Sequence, residues 1–178
     1  ATNDVSTAET EPNPGGEEVG RMDPFMLSLA DADNGFNNLN RMAMLWEVRH
    51  RWARGSRFAF NMYRHHTRLM VRGPTGAAPQ FLLSREGVTQ GCPLGMILYG
   101  VALLPLAEDL REAFPEALQP WYADDFAMYA RASVVAGCFT RLCEKGPSVG
   151  YFPAPAKSWG ICPRSWAPPG SPSSGSAA

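Results

Sequence analysis

The chain has 178 residues, 45% of them hydrophobic, and a formal net charge of −1, which predicts one compact domain with a hydrophobic core. The longest apolar run, near residues 96–107, is interrupted by Pro105 and is too short to cross a bilayer, and the acidic first thirty residues lack the pattern of a secretory signal. The four cysteines form no C-x-x-C pair, which argues against a zinc site and a disulfide framework. We therefore expect an intracellular protein, in the nucleus or cytoplasm, that is neither secreted nor inserted in a membrane.

The two ends of the chain differ from its middle. Residues 1–22 are acidic and rich in Pro and Gly, and residues 163–178 are rich in Pro, Ser and Gly, so both are expected to be disordered tails around one folded domain at 23–162. Charge is also uneven along the chain. Residues 1–33 carry eight acids and one Arg, whereas residues 41–72 carry eight Arg and one Glu. The basic segment therefore predicts an anionic partner.

The first half of the domain predicts a strand, a helix and a hairpin. "FMLSLADA" is a short apolar run that ends in acids, as in a strand, and the following "NNLNRMAMLWEVRHRW" has apolar residues at helical spacing. The residues expected on the apolar face of this helix are Leu39, Met42, Leu45 and Trp46. Next, "TRLMVRG" and "PQFLLSRE" flank the turn-rich "GPTGAA", which predicts a β-hairpin.

The second half predicts a helix followed by two short strands. In "GVTQGCPLGMILYGVALLPLAEDLREAF", Pro93 suits the first turn of a helix, and Pro105 is expected to kink or divide it. The residues expected on its apolar face are Leu94, Ile97, Val101 and Leu104. "QPWYADDFAMYA" has aromatic residues on both sides of two acids, which indicates two strands joined by a tight turn at Asp124 and Asp125.

The adjacent aspartates need an explanation because neighbouring like charges repel. They lie either in an exposed turn or at a bound cation. Asp31 also stands at the end of a predicted strand, so its carboxylate could converge with the other two. Carboxylates from two strands, with no His or Cys nearby, form a hard oxygen site of the kind that suits Mg²⁺ bound together with substrate phosphates.

Three motifs stand in order along the chain: "DADNGFNNL" at 31–39, "GVTQGCPL" at 87–94 and "YADD" at 122–125. They resemble motifs A, B and C of the reverse transcriptase palm, most closely the non-LTR retrotransposon and group II intron varieties. "GYFPAPAKSW" at 150–159 is similar to motif D, so that the four together cover roughly residues 27–159. Three ordered motifs are more specific than any single tetrapeptide. The resemblance implies an α+β fold, with a polymerase palm-like antiparallel sheet backed by helices and with fingers and thumb largely absent.

The resemblance also implies an RNA-directed DNA polymerase that uses an RNA template, a DNA primer and dNTP. Asp31, Asp124 and Asp125 would hold two Mg²⁺ ions, or Mn²⁺ as a substitute, one activating the primer 3′-hydroxyl and one clamping the triphosphate. Asp33 is a less expected ligand, because the family usually has a small polar residue at that position.

Four further residues receive roles from the resemblance, each with a simpler alternative. Phe36 would stack under the sugar of the nucleotide and reject a 2′-hydroxyl, or else be an ordinary core aromatic. Gln90 and Gly91 would contact the template base pair at the start of a helix, or else form a plain turn, and Cys92 replaces the serine common there. Lys157 would protonate the pyrophosphate leaving group, or else be an exposed charge.

The basic segment is rich in arginine and aromatic residues. Its arginines are Arg41, Arg49, Arg51, Arg54, Arg57, Arg64, Arg68 and Arg72. Some of them could follow a phosphate backbone while the aromatics stack on bases. The alternative is a solvated helix surface whose aromatics pack inward.

Two hypotheses for function remain open. One is a reverse transcriptase fragment that retains metal-dependent nucleotidyl transfer, which the intact acids favour. The other is a catalytically inactive palm relic that at most binds nucleic acid. About 30 residues precede Asp31 and about 20 follow Lys157, which leaves no room for fingers or thumb, so the isolated chain is expected to be inactive. A palm-like nucleotide cyclase is disfavoured by "GVTQGCPL", a pattern typical of template handling.

Overall fold

The computed structural model describes residues 23–163 of the chain, and the two predicted tails lie outside them except for Pro163. The described range contains six strands and five helices. In order they are β1 (Phe25–Ala30), α1 (Gly35–Asn38), α2 (Arg41–Arg51), α3 (Ala53–Tyr63), β2 (Thr67–Val71), β3 (Gln80–Ser84), α4 (Gly95–Ala113), β4 (Trp121–Tyr122), β5 (Asp125–Arg131), α5 (Ala132–Val149) and β6 (Trp159–Ile161).

A four-stranded antiparallel sheet forms the centre of the domain, in the order β4-β5-β1-β6. Strand β5 pairs with β1 along the whole length of β1, from Phe25 opposite Arg131 to Ala30 opposite Phe126. Alternate residues of β5 are buried, among them Phe126 and Met128, because successive side chains of a strand point to opposite faces. Helices α4 and α5 contact each other, and α5 contacts both central strands. The predicted α+β class, a palm-like antiparallel sheet backed by helices, is confirmed.

Helix α2 buries a different face from the one expected. Met42 and Trp46 are 72% and 63% exposed, whereas Met44 and Val48 are fully buried. The prediction was wrong for Met42 and Trp46 because this helix carries apolar residues on two faces, and its neighbours α3 and α4 determine which face is covered. The start of the helix is capped by the side chain of Asn40, which accepts a hydrogen bond from the Ala43 amide.

Helix α4 continues without a break through Pro105, so the proline does not divide it. Its buried face was predicted only in part, since Leu94 and Val101 pack against the core. Ile97 and Leu104 are 48% and 38% exposed, and the fully buried positions include Leu98 and Tyr99. A helix that is apolar on most sides gives little periodicity from which a buried face can be predicted.

Helix α3, helix α5 and strand β6 were not predicted. Helix α5 buries residues at intervals of three or four positions, a pattern that is visible in the sequence at Val135, Cys138 and Leu142. Strand β6 has three residues, which pair with β1 at the edge of the sheet.

The predicted hairpin is confirmed as β2 paired with β3, which form a separate two-stranded sheet. Its apolar side chains are about half exposed or more. All four cysteines are free thiols, as expected. In the part of the chain that the structure describes, no helix has the length and apolar character needed to cross a membrane.

Candidate active site

The three predicted metal ligands come from adjacent strands. Asp31 follows β1 directly, Asp124 lies in the turn between β4 and β5, and Asp125 is the first residue of β5. The last β1–β5 pair is Ala30 opposite Phe126, so the next residues outward on the two strands are Asp31 and Asp125. The three aspartates therefore lie at the same end of the central sheet.

The turn that carries Asp124 is tight. Tyr122 pairs with Asp125, which leaves two residues between the strands, and Ala123 has the left-handed φ of 54° that such turns require. Asp124 is half-buried and Asp125 is exposed. The predicted turn at the aspartates is thus present, and it exposes the two carboxylates unequally.

Tyr151 joins the two strands beneath the aspartates. Its hydroxyl donates to the backbone carbonyls of Ala30 at 3.2 Å and Asp124 at 3.0 Å. The side chain is fully buried, and this burial raises the pKa of Tyr151, with smaller contributions from Tyr99, Asp31 and the other aspartates. Tyr151 therefore fixes the end of β1 relative to the turn.

A second buried tyrosine, Tyr99 of α4, also lies close to the aspartates. Its ring stacks on Phe36, with ring centroids 4.6 Å apart. Burial, and then the charges of Asp124 and Asp31, raise the pKa of Tyr99, which places both carboxylates in its electrostatic environment. Neither tyrosine was predicted as part of the site: Tyr151 lies in the motif D segment at 150–159, and Tyr99 lies in the helix-forming run after the motif B segment.

Lys157 lies beside Asp31. Its Nζ is 3.6 Å from Asp31 Oδ2, and its side chain is 57% exposed. The backbone holds this segment in place, because the amide of Ala154 donates to the carbonyl of Asp31 at 2.8 Å and the amide of Asp33 donates to that of Phe152 at 2.7 Å. Motif D thus lies alongside motif A, with the ammonium group of Lys157 next to a carboxylate.

Phe36 is half-buried on the short helix α1. One face of its ring contacts a core residue, Tyr99, while part of the side chain stays accessible. Both interpretations, contact with the nucleotide sugar and packing in the core, therefore have a structural basis.

Gln90 and Gly91 are exposed in the loop before α4. Gly91 has φ of 88°, and a Cβ added there would meet nothing within 4 Å. The preceding Gly87 and Val88 donate to the carbonyls of Leu39 and Phe36, each at 2.8 Å, which ties this loop to motif A.

Arg41, one of the arginines of the basic segment, is buried and structural. Its guanidinium donates to Ser84, Glu86 and Gly87, and it lies over the ring of Tyr63 at 5.5 Å. Arg41 thereby anchors the end of β3, and the loop leading to Gln90, to the start of α2.

The other arginines of the basic segment differ in whether their charge is free to bind an anion. Arg51 pairs with Glu47 and Glu108, each at 2.6 Å, and Arg64 and Arg68 lie over aromatic rings. Arg49 and Arg57, by contrast, line a groove of about 250 Å³ between α2 and α3 and form no ion pair with any described residue. The other lining residues are Leu45, Ser56 and Phe60. This groove, named here the α2–α3 groove, presents two cations and no acid.

The donor chemistry of the three aspartates suits a hard divalent cation, since every ligand is a carboxylate oxygen. Across residues 23–163, however, no group of three or more His, Cys, Asp or Glu side chains is gathered closely enough to hold a metal ion by itself. The arrangement therefore fits an ion that takes further ligands from substrate phosphates better than it fits a closed protein cage.

Comparisons with known proteins give structural matches alone. No protein-family model matches the chain, and no curated protein sequence matches it. Telomerase from Candida tropicalis, truncated from its C-terminal domain, is similar with a TM-score of 0.56 and 14% identity, over 83% of this chain and 32% of that one. Telomerase from Candida albicans, in complex with the TWJ fragment of telomeric RNA, is similar with a TM-score of 0.53 and 12% identity, over 81% of this chain and 28% of that one.

The chain thus spans about a third of the length of these telomerases. At such identities the likeness is one of fold. The described domain shares the fold of part of telomerase, which is a member of the reverse transcriptase family.

Proposed function

We propose that the chain is the palm of an RNA-directed DNA polymerase of the non-LTR retrotransposon and group II intron kind, acting in the nucleus or cytoplasm. It would transfer a nucleotide from dNTP to a primer 3′-hydroxyl. The observation that carries the proposal is the position of Asp31, Asp124 and Asp125 at the same end of an antiparallel sheet whose fold is shared with part of telomerase. The order of the four motifs along the chain supports it.

The aspartates are the proposed ligands of two Mg²⁺ ions, for which Mn²⁺ could substitute. When bound, the ions would activate the primer hydroxyl and neutralise charge on the triphosphate. Asp31 and Asp124 are the principal ligands in this proposal, because both are half-buried at the same end of the central sheet. Asp125, which is exposed, would complete the set from the opposite strand.

Lys157 and Phe36 act on the incoming nucleotide in this proposal. The Lys157 ammonium, next to Asp31 and largely exposed, could turn toward the pyrophosphate and donate a proton as it leaves. Phe36, fixed from behind by Tyr99, would present the accessible part of its ring to the sugar and exclude a 2′-hydroxyl.

Gln90 and Gly91 would contact the template base pair. Their exposure leaves the Gln90 amide able to donate and accept hydrogen bonds, and the lack of a side chain at Gly91 allows close approach of a nucleic acid backbone. RNA is the proposed template, and the Candida telomerases solved with a fragment of telomeric RNA support that choice.

Primer extension tests the proposal. A DNA primer annealed to an RNA template is incubated with dNTP and Mg²⁺ or Mn²⁺, and the wild-type chain is compared with Asp124→Asn. We expect extension by a longer wild-type form that includes any flanking coding sequence, none by the isolated chain, and none by the Asp124→Asn variant of either. Because the chain spans about a third of its structural neighbours, a longer form with any flanking coding sequence is assayed in parallel. Absence of extension from both forms would refute the enzymatic proposal.

The α2–α3 groove favours a second candidate function, nucleic-acid binding without turnover. Two arginines beside an exposed aromatic ring could hold a phosphate backbone and stack on a base. Neutralising Arg49 and Arg57 to Gln should weaken binding to single-stranded RNA and lower its dependence on salt concentration, as measured by fluorescence anisotropy.

The matched control removes the same charge from arginines that are already in ion pairs. Arg51→Gln with Arg141→Gln changes the net charge equally, yet both residues are bound to acids. If the control weakens binding as much as the groove variant, the groove is not the site.

A further inference from the structure

The hydroxyl of Tyr99 is a polar group for which the proposed mechanism has no use. Tyr99 is fully buried in α4, and its hydroxyl has no hydrogen-bond partner among the described residues. A buried hydroxyl without a partner is destabilising, whereas a phenylalanine could make the same ring stack on Phe36 without that cost. The hydroxyl therefore needs an explanation beyond core packing.

Gly35 shows what lies around this hydroxyl. A Cβ placed on Gly35 would be 2.6 Å from the Tyr99 hydroxyl and 2.9 Å from the Cβ of Asp124. The two side chains thus converge on one point, in the space that any residue larger than glycine would fill. Since the carboxylate oxygens of Asp124 lie beyond its Cβ, rotation about the Cα–Cβ bond can bring one of them within hydrogen-bond distance of Tyr99.

The hydroxyl is suited to donate in this place. A tyrosine phenol ordinarily has a pKa of about 10, so its hydroxyl keeps its proton at neutral pH. The carboxylate of Asp124 is a strong acceptor, and Tyr151 already fixes the backbone carbonyl of the same residue from the other side.

We propose that Tyr99 is a positioning residue for Asp124: its hydroxyl donates to the Asp124 carboxylate and sets its orientation, and the glycine at position 35 is what makes room for this contact. The inference rests on the proposed function, because it assumes that Asp124 is a metal ligand. In this proposal a residue of α4 supports a site that is otherwise built from strands. Tyr99 would contact the Asp124 carboxylate through its hydroxyl and the Phe36 ring through its own ring.

The first test is independent of catalysis and measures how closely the Tyr99 hydroxyl approaches position 35. Urea unfolding is compared for the wild type, Gly35→Ala, Tyr99→Phe and the double variant. We expect Gly35→Ala to lower the unfolding midpoint clearly, and Tyr99→Phe to recover part of that loss when added to it, because the atom nearest the new Cβ is gone. If the midpoint shifts of the two single variants simply add in the double variant, the proposal that Gly35 makes room for the Tyr99 hydroxyl is overturned.

The second test measures the positioning of Asp124. Mn²⁺ affinity is determined by isothermal titration calorimetry for the wild type, Tyr99→Phe and the matched control Tyr129→Phe, an exposed tyrosine on β5. We expect Tyr99→Phe to weaken Mn²⁺ binding by about tenfold, as is typical when a hydrogen-bond partner of a metal ligand is lost, and Tyr129→Phe to leave it unchanged.

The outcomes separate this inference from the proposed function. Wild-type binding of Mn²⁺ with an affinity within about twofold in Tyr99→Phe would overturn the role of Tyr99 and leave the metal site standing. A wild-type chain that binds no Mn²⁺ would overturn both, because a positioning residue has no role without a ligand site. Far-UV circular dichroism confirms that each variant is folded.

Discussion

The hydroxyl of Tyr151 donates to the backbone carbonyl of Asp124 at 3.0 Å, and the same hydroxyl reaches the carbonyl of Ala30 at 3.2 Å. One side chain from the segment after α5 thereby joins the end of β1 to the β4–β5 turn. A residue that is not itself a proposed ligand therefore fixes the end of β1 relative to the turn that carries Asp124.

Removal of this hydroxyl should loosen the site. Tyr151→Phe keeps the buried ring but removes the one O–H donor that the carbonyls of Ala30 and Asp124 share, so we predict a loss of about 1–3 kcal/mol in the free energy of unfolding, measured with urea. Tyr122→Phe is the control, because Tyr122 is 76% exposed. Equal stability of Tyr151→Phe and the control would contradict the role of the hydroxyl.

Alkaline pH should destabilise the fold through the two buried tyrosines. Burial raises the pKa of Tyr99 and of Tyr151 above the usual value of about 10. Above about pH 10 the unfolded chain releases these protons while the folded chain keeps them, so the stability from the two groups is fully present below that pH and is lost above it. Urea unfolding at pH 8 and pH 11 measures the decline.

The same unfolding series on Tyr151→Phe isolates the tyrosine contribution from other groups that titrate in this range. We expect a shallower decline in the variant. A decline as steep as that of the wild type would show that Tyr151 ionises as freely in the folded chain as in the unfolded one.

Arg41 should be important for stability although it belongs to the basic segment. Arg41→Met removes a guanidinium that donates to the carbonyls of Ser84, Glu86 and Gly87, and we predict a loss of at least about 2 kcal/mol in the free energy of unfolding. Arg41→Lys should not restore it, because an ammonium group lacks the planar fork. Arg57→Met, at an exposed position, is the control, and a similar loss there would argue against a special role for Arg41.

Phe36 should control the choice of sugar if the proposed polymerase is correct. Phe36→Ala opens the space beside the sugar, so we predict that ribonucleotide incorporation relative to deoxyribonucleotide incorporation rises by about tenfold or more. The ratio of kcat/KM for the two substrates measures this selectivity. Phe58→Ala, at an exposed phenylalanine on α3, should leave the ratio unchanged. An unchanged ratio in Phe36→Ala would favour the core interpretation.

Local sequence patterns were sufficient to predict the elements that carry the aspartates. The aromatic residues on either side of Asp124 and Asp125 predicted two strands and a turn, and the apolar run before Asp31 predicted β1. The glycine-rich turn between two apolar runs likewise predicted the β2–β3 hairpin. These features depend on residues close together in the chain, where alternation and turn chemistry act directly.

Features that depend on packing were harder to predict. Met42 and Met44 are two positions apart in one helix, yet Met42 is exposed and Met44 is buried, because the neighbouring helices select the face. The positions of Tyr99 and Tyr151 beneath the site likewise arise from contacts between residues distant in sequence. Helix α5, in contrast, was missed although its buried residues recur at helical spacing.

Single-nucleotide incorporation most directly tests the claim that these aspartates form a polymerase site. The rate at which a DNA primer on an RNA template gains one nucleotide is measured over a range of Mg²⁺ concentrations, for this chain and for the longer form. Asp124→Asn is the test variant, and Asp33→Asn, at an exposed aspartate in the motif A segment two residues after Asp31, is the control. We predict a loss of at least about a hundredfold in Asp124→Asn and a near-normal rate in Asp33→Asn. Incorporation by Asp124→Asn at the wild-type rate, or none by the wild type in either form, would contradict the account.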